Sequence, residues 1–344
     1  MTICSRSNTL LYKVLFVNGQ PGCGKTLFTS ILPTMEKIEI LNFCTEIENI
    51  CALYHLKKIT KDAAASFVKI YLDEVLYNTS MSRRVNFRIG DLSSVFRNPF
   101  PRRYFQRLIS KGDQEMPKYI KSNKPILHFA THNLLPYSKI LFDTLFEKIL
   151  FMEILRHPLY MIKQQIINYE NHMNSNRHFH IKFLYKKKEF FFWDLPYLKN
   201  SKNFEPVDFA INHLSHQLDN QIVKINYHNK NKNFIVIPFD EFVLTPHKYI
   251  QNIELFVGEK FSKKLNNVLQ REKVPRIKVS DGIDSKLYRR FGWEPGEKKL
   301  NEFEELNKRL EFVKSLNPLK KNLEILDTCI QKYDNFLKKN EYFA

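Results

Sequence analysis

Glycine is scarce in this chain, 9 residues of 344, while Lys, Asn, Ile and Phe are abundant. Cysteine is thin as well. The five cysteines, Cys4, Cys23, Cys44, Cys51 and Cys329, are scattered, odd in number and free of any CxxC spacing. That pattern excludes a disulfide framework and a zinc site, and fits reduced thiols in a cytoplasmic protein. No stretch approaches the roughly 18 apolar residues of a membrane span. The residues before Gly19 leave no room for a cleavable signal peptide, so a cytoplasmic location is expected. Internal repeats and disordered tracts are missing too. Acidic residues fall short: 36 Asp and Glu face 54 Lys and Arg, a net charge of +18 and a pI of about 9.5. Such a surplus favours anionic partners. An AT-rich coding bias can give the same composition, so the charge alone does not name a nucleic-acid binder, and none is expected.

With 43% hydrophobic residues, 344 positions suffice for one substantial core or two small domains. Tyr12 to Val17 reads as a buried strand. Lys25 to Leu32 reads as a helix that stops near Pro33. A second helix is expected from Asp62 to Tyr77, with Ala64, Phe67, Val68, Tyr71 and Val75 on one face. Short apolar runs at Ile126 to Ala130, Ile149 to Leu155 and Phe234 to Ile237 read as strands. Pro158 suits the first turn of a helix running to about Ile167. Strands alternating with helices argue for βαβ units and a parallel sheet. In such sheets ligands bind beyond the strands' carboxyl ends. Phe179 to Tyr185 and Glu189 to Trp193 look like a hairpin, expected as an antiparallel edge to the sheet, with a flap over the site as the other placement. The tyrosines and phenylalanines of Phe190 to Tyr197 are expected to pack in the core, with the lining of an acceptor cleft as the other role. Past Gly296 the chain turns charged and helical, with Phe303, Leu306, Leu310, Val313 and Leu316 recurring every three or four residues.

The chemistry is written most plainly in Gly19-Gln20-Pro21-Gly22-Cys23-Gly24-Lys25-Thr26. This meets G-x-x-x-x-G-K-[ST], with a strand before it and a helix after it. Glycines let backbone N–H groups approach phosphate oxygens, Lys25 brings a full charge, and Thr26 a hydroxyl. Cys23 reads as a small residue that fits the loop, not as a nucleophile. Lys25 is expected to be exposed and to add little to stability. A kinase or ATPase also needs a magnesium carboxylate at the end of a second strand. Asp240-Glu241, after a run interrupted by Pro238, and Asp91 are weak candidates.

Four segments, in order, resemble the sulfotransferase family that uses 3′-phosphoadenosine 5′-phosphosulfate. Val14 to Leu32 is placed like the family's 5′-phosphosulfate loop. Phe129-Ala130-Thr131-His132-Asn133-Leu134-Leu135-Pro136 is similar to its "KTH…P" segment. Glu153-Ile154-Leu155-Arg156-His157-Pro158-Leu159 is similar to the strand end that starts its 3′-phosphate site. Val236 to Phe242, with Thr245-Pro246 and Ile253 to Gly258, resembles its later "yEdl…dP…i..flG" pattern. The likeness spans Val14 to Phe261. Two departures stand out. The family's loop usually carries its lysine before a serine, whereas here Lys25 follows the last glycine. The family's 3′-phosphate serine, eight residues past the arginine, is Gln164 here.

The resemblance implies an α/β P-loop domain over residues 1–295, with a central parallel sheet flanked by helices and a hairpin-containing segment at 170–200. A helical extension, 296–344, would pack on it. It further implies transfer of a sulfuryl group from 3′-phosphoadenosine 5′-phosphosulfate, a co-substrate, to a hydroxyl or amine, with no metal. Lys25 and the amides of Gly22, Cys23, Gly24, Lys25 and Thr26 would hold the 5′-phosphate side. Arg156 and Gln164 would hold the 3′-phosphate, joined by Arg276 or by residues from Lys286 to Gly292. His132 would be the general base, with Asp91 as the alternative. The acceptor stays open among carbohydrate, lipid, peptide tyrosine and small alcohol. Two other readings remain: a P-loop kinase or ATPase acting on a small molecule, and a nucleotide-binding regulatory or nucleic-acid-interacting protein.

Overall fold

A computed structural model describes residues 2–110, 112–172, 175–176, 178–283, 289, 296–297 and 299–339. Its centre is a five-stranded sheet. The strands are β1 (Lys13–Asn18), β2 (Ile38–Phe43), β3 (Ile126–Ala130), β4 (Ile149–Leu155) and, later in the chain, β7 (Phe234–Pro238), in the order β2-β3-β1-β4-β7. Every pairing is parallel. Parallel strands are covered on both faces, which is why β1, β3 and β4 are apolar almost throughout. Alternate residues serve opposite layers. Leu15, Val17, Met152 and Ile154 face one cluster, and Val14, Phe16, Phe129 and Phe151 face the other.

The first layer contains α1 (Lys25–Ile31), α7 (Pro158–His172), α9 (Phe239–Leu244), α10 (Pro246–Val257) and α11 (Lys264–Arg271). The second contains α2 (Thr45–His55), α3 (Lys61–Ser80), α5 (Met116–Asn123) and α6 (Lys139–Leu145). The short α4 (Pro101–Ile109) brings Tyr104 and Arg107 to β2, and α8 (Pro206–His228) contributes residues to both layers. The last two helices, α12 (Glu302–Ser315) and α13 (Lys320–Lys339), are also part of the core. Val313 and Leu326 join the first layer, and Cys329, Tyr333 and Phe336 the second.

The hairpin differs from the expectation. Strands β5 (Lys182–Tyr185) and β6 (Lys188–Phe191) form a separate two-stranded sheet and do not extend the central one. The reason lies in the 3₁₀ turn after β6. Phe192 and Trp193 anchor it in the second layer, which turns the segment over the carboxyl ends of the strands. No helix among the described residues is long and apolar enough to cross a membrane.

Candidate active site

β1 and β3 are neighbours, and their carboxyl ends open into one cavity of about 450 Å³. The loop after β1 forms its floor. Gly24 caps α1 at φ 92°. A Cβ there would lie 2.2 Å from the Phe239 ring, so only glycine fits on both counts. Beneath the loop runs a buried polar chain. Asn18 Nδ2 donates to Glu153 Oε2 at 2.6 Å, Gln221 Nε2 donates to Glu153 Oε1, and Gln20 Nε2 donates to Gln221 Oε1 at 2.9 Å. Burial pushes the Glu153 carboxyl up to about 7, against the pull of Asn18, Gln221 and Lys25. Asn18 Oδ1 also accepts from Thr131 Oγ1 and from the Leu134 N–H, both at 3.0 Å. These bonds fix the loop after β1 against the segment after β3.

Lys25 is not exposed. Its side chain lies buried, with Nζ donating to Gly19 O at 2.7 Å and to Gln20 O at 3.0 Å. The loop wraps its own lysine, because its carbonyls turn inward where the glycines allow. Cys23 is buried as well, and burial raises its thiol pKa, which fits a packing role.

Gly22, Gly24, Lys25, Thr26, His132, Arg156 and Gln164 all line the same cavity. Arg156, at the end of β4, is 7% exposed, and its Nη1 donates to Gly22 O at 2.9 Å. Its guanidinium lies over the Phe239 ring at 4.4 Å and the Tyr160 ring at 5.0 Å. Its Nε has no hydrogen-bond partner and stands 3.6 Å from Asp240 Oδ1. Arg276 also lines the cavity, with its guanidinium 5.5 Å from the same Phe239 ring. Lys286 and Gly292 lie outside the described residues.

Asp240 is hydrogen-bonded through one oxygen, and its Oδ1 is buried without a hydrogen-bond partner. Its Oδ2 accepts from the His157 N–H at 2.9 Å and from the Tyr333 hydroxyl at 3.0 Å. Asp91 accepts from Asn86 Nδ2 and sits 3.8 Å from Arg88 Nε, and it is not among the residues lining the cavity.

His132 follows β3 and opens partly into the cavity. Burial and the Lys25 charge push its pKa below the ordinary histidine value, while Glu48 pulls the other way. Its carboxylate and histidine partners carry no signal in the sequence. Glu48 of α2 is buried against it, His180 joins Glu48, and Phe191 and Trp193 of the hairpin segment face the same space. The aromatic pair belongs to the core, as expected, and also forms a cavity wall. A carboxylate within a helix carries no local signal, nor does His178-Phe179-His180 before an aromatic hairpin.

No family model and no curated protein matches the sequence. Solved structures resemble it. The sulfotransferase domain of the olefin synthase of Synechococcus PCC 7002 is 12% identical, covering 92% of this chain and 98% of that one, with a TM-score of 0.37. The sulfotransferase domain of the curacin biosynthetic pathway is 13% identical, covering 89% and 99%, with a TM-score of 0.39. Sulfotransferase STF9 from Mycobacterium avium is 11% identical, covering 91% and 78%, with a TM-score of 0.38. The likeness is distant, and what the site can do rests on its own residues.

Proposed function

We propose that this chain is a sulfotransferase that moves a sulfuryl group from 3′-phosphoadenosine 5′-phosphosulfate to an acceptor hydroxyl or amine. The observation that carries this is the end of β3. A P-loop kinase needs a magnesium carboxylate at the end of a strand near its phosphate loop. Here β3, one of the two strands beside β1, is followed by Thr131-His132, β4 on the other side by Arg156, and the histidine opens into the cavity that Lys25 and Arg156 also line.

The chemistry follows from the placement. Amides of Gly22 to Thr26 hold the 5′-phosphate oxygens, and Lys25 turns from its loop carbonyls to neutralise the bridging oxygen as it leaves. Arg156, buried and with an unused Nε–H, takes the 3′-phosphate, aided by Gln164 and Arg276. His132 accepts the acceptor's proton as the new O–S bond forms and the S–O bond to the 5′-phosphate breaks. Adenosine 3′,5′-bisphosphate is then released.

Thermal shift tests the reading. Adenosine 3′,5′-bisphosphate without metal is expected to raise Tm by several degrees, and Mg-ATP to do much less. The reverse order would assign the loop to a kinase or ATPase. Tight, salt-sensitive oligonucleotide binding with neither shift would assign the protein to nucleic acid.

A further inference from the structure

Glu48 is a buried carboxylate, 3% exposed, and the transfer reaction above gives it no task. Burying a carboxylate is costly unless it is paired and hydrogen-bonded. Its partners are cavity residues. Oε1 accepts the backbone N–H of His132 at 2.5 Å and stands 3.6 Å from His132 Nδ1. Oε2 meets His180 Nε2 at 2.5 Å. His180 is itself held, with Nδ1 3.4 Å from His178 Nδ1 and its ring edge-on to Trp193 at 5.2 Å.

We infer that Glu48 is the positioning residue of the base, and that it acts with His180 to hold His132 as the Nδ1–H tautomer with Nε2 turned to the acceptor. The purpose of this arrangement rests on the sulfotransferase reading, but its geometry does not. The bond to the His132 N–H fixes that residue's backbone. The nearest carboxylate oxygen favours a proton on Nδ1, so the lone pair stays on Nε2, away from Glu48. When Nε2 takes the acceptor's proton, the imidazolium forms beside a full negative charge. Lys25 opposes that step from the loop, and Glu48 offsets it.

The surrounding groups keep Glu48 ionised. Burial works to raise its carboxyl, yet the bonds and charges of His132 and His180 hold it down to about 2. The other titratable groups facing the cluster are Lys25 from α1, Cys44 just before α2, Cys51 on α2, and His178 beside His180. Burial pushes both thiols up, and the Glu48 charge pushes them further, so they stay neutral.

Imidazole NMR on ¹⁵N-histidine-labelled protein carrying adenosine 3′,5′-bisphosphate tests this, with the His132→Gln variant assigning the signals. Neutral His132 is expected to carry its proton on Nδ1. In Glu48→Gln its pKa is expected to fall by about one unit or more, because an opposite charge a few ångströms away has been removed. Glu48→Asp should recover part of that shift. With 3′-phosphoadenosine 5′-phosphosulfate and 2-naphthol as probe acceptor, kcat of Glu48→Gln should fall about tenfold, matching one pK unit. The donor KM should stay within about twofold of the parent value. An Nε2–H tautomer in the parent, or an unchanged His132 pKa in a folded Glu48→Gln protein, would overturn the inference. If neither variant folds, the parent's tautomer decides. If the parent does not sulfate naphthol while the histidine shifts appear, the positioning stands and the failure belongs to the transfer reaction.

Discussion

Lys25 shows how far one residue's environment can depart from its motif. The motif says phosphate ligand, and the structure adds a brace: its ammonium bridges Gly19 O and Gln20 O within the loop. Lys25→Ala is therefore expected to do two things. Donor turnover is lost, and stability falls by roughly 1–3 kcal/mol, because two carbonyls lose a charged donor. A urea midpoint indistinguishable from the parent would show that the brace contributes nothing. Arg156 needs a gentler variant, since its removal would strip Asp240 of its neighbouring charge. Arg156→Lys keeps the charge and loses the planar fork. Binding of adenosine 3′,5′-bisphosphate is expected to weaken by roughly 1.5–3 kcal/mol, with adenosine 5′-phosphate little affected. Calorimetry with both ligands checks this, and equal losses would remove the 3′-phosphate from Arg156.

Among the elements, β3 and β4 were legible to the residue, because each carries a single polar residue, His128 or Glu153, in an otherwise apolar run. β2 was not. Its sequence carries Glu39 and Asn42, which break the apolar pattern, and Glu39 is tolerable only because Arg107 of α4 grips it with two bonds of 2.8 Å. That partner lies 68 residues away and cannot be read locally. α8 escaped for a related reason: its buried face includes Asp208, His213, Gln217 and Gln221. Of these, Gln221 completes the polar chain under the phosphate loop, which yields a prediction. Glu153 has a folded pKa of about 7, above its unfolded value of about 4.3. The folded state thus binds the extra proton between those values. Its contribution is complete below the unfolded pKa and is lost as pH rises through the folded one. Parent stability should therefore decline from about pH 5 to 7.5. In Glu153→Gln this part of the decline should vanish, since Gln20 Oε1 has no partner and the Gln20 and Gln221 amides can flip to suit the new side chain. Parallel stability–pH curves for the two proteins would refute the assignment.

At the scale of the whole molecule, the site depends on residues from both ends of the chain. The phosphate loop follows the first strand, while the last helix, α13, supplies Tyr333, whose hydroxyl donates to Asp240 beside Arg156. α13 is also core: Leu326, Cys329, Tyr333 and Phe336 are buried, and Asn322 Nδ2 donates to Asp208 Oδ1 at 2.7 Å. The amphipathic spacing past Gly296 was visible in the sequence, but it belongs to α12, and of its residues Phe303 and Leu316 are exposed while Val313 is buried. The tie to Arg156 was not visible, because Tyr333 and Asp240 are 93 positions apart. Each large apolar side chain contributes on the order of 1.5–3 kcal/mol when fully buried. Losing several approaches the roughly 5–15 kcal/mol by which domains are stable. A chain ending at residue 317 is accordingly expected to be insoluble or to unfold well below the parent Tm. Tyr333→Phe separates the two roles of the helix. It keeps the ring in the core and removes only the hydroxyl, so Tm should change little. Asp240 Oδ2, left with the His157 N–H alone, would then hold Arg156 more strongly, and affinity for adenosine 3′,5′-bisphosphate should fall a few-fold. Calorimetry on this variant is decisive. Unchanged affinity would confine α13 to packing, and a large drop in Tm would show that the hydroxyl serves the fold and not the nucleotide.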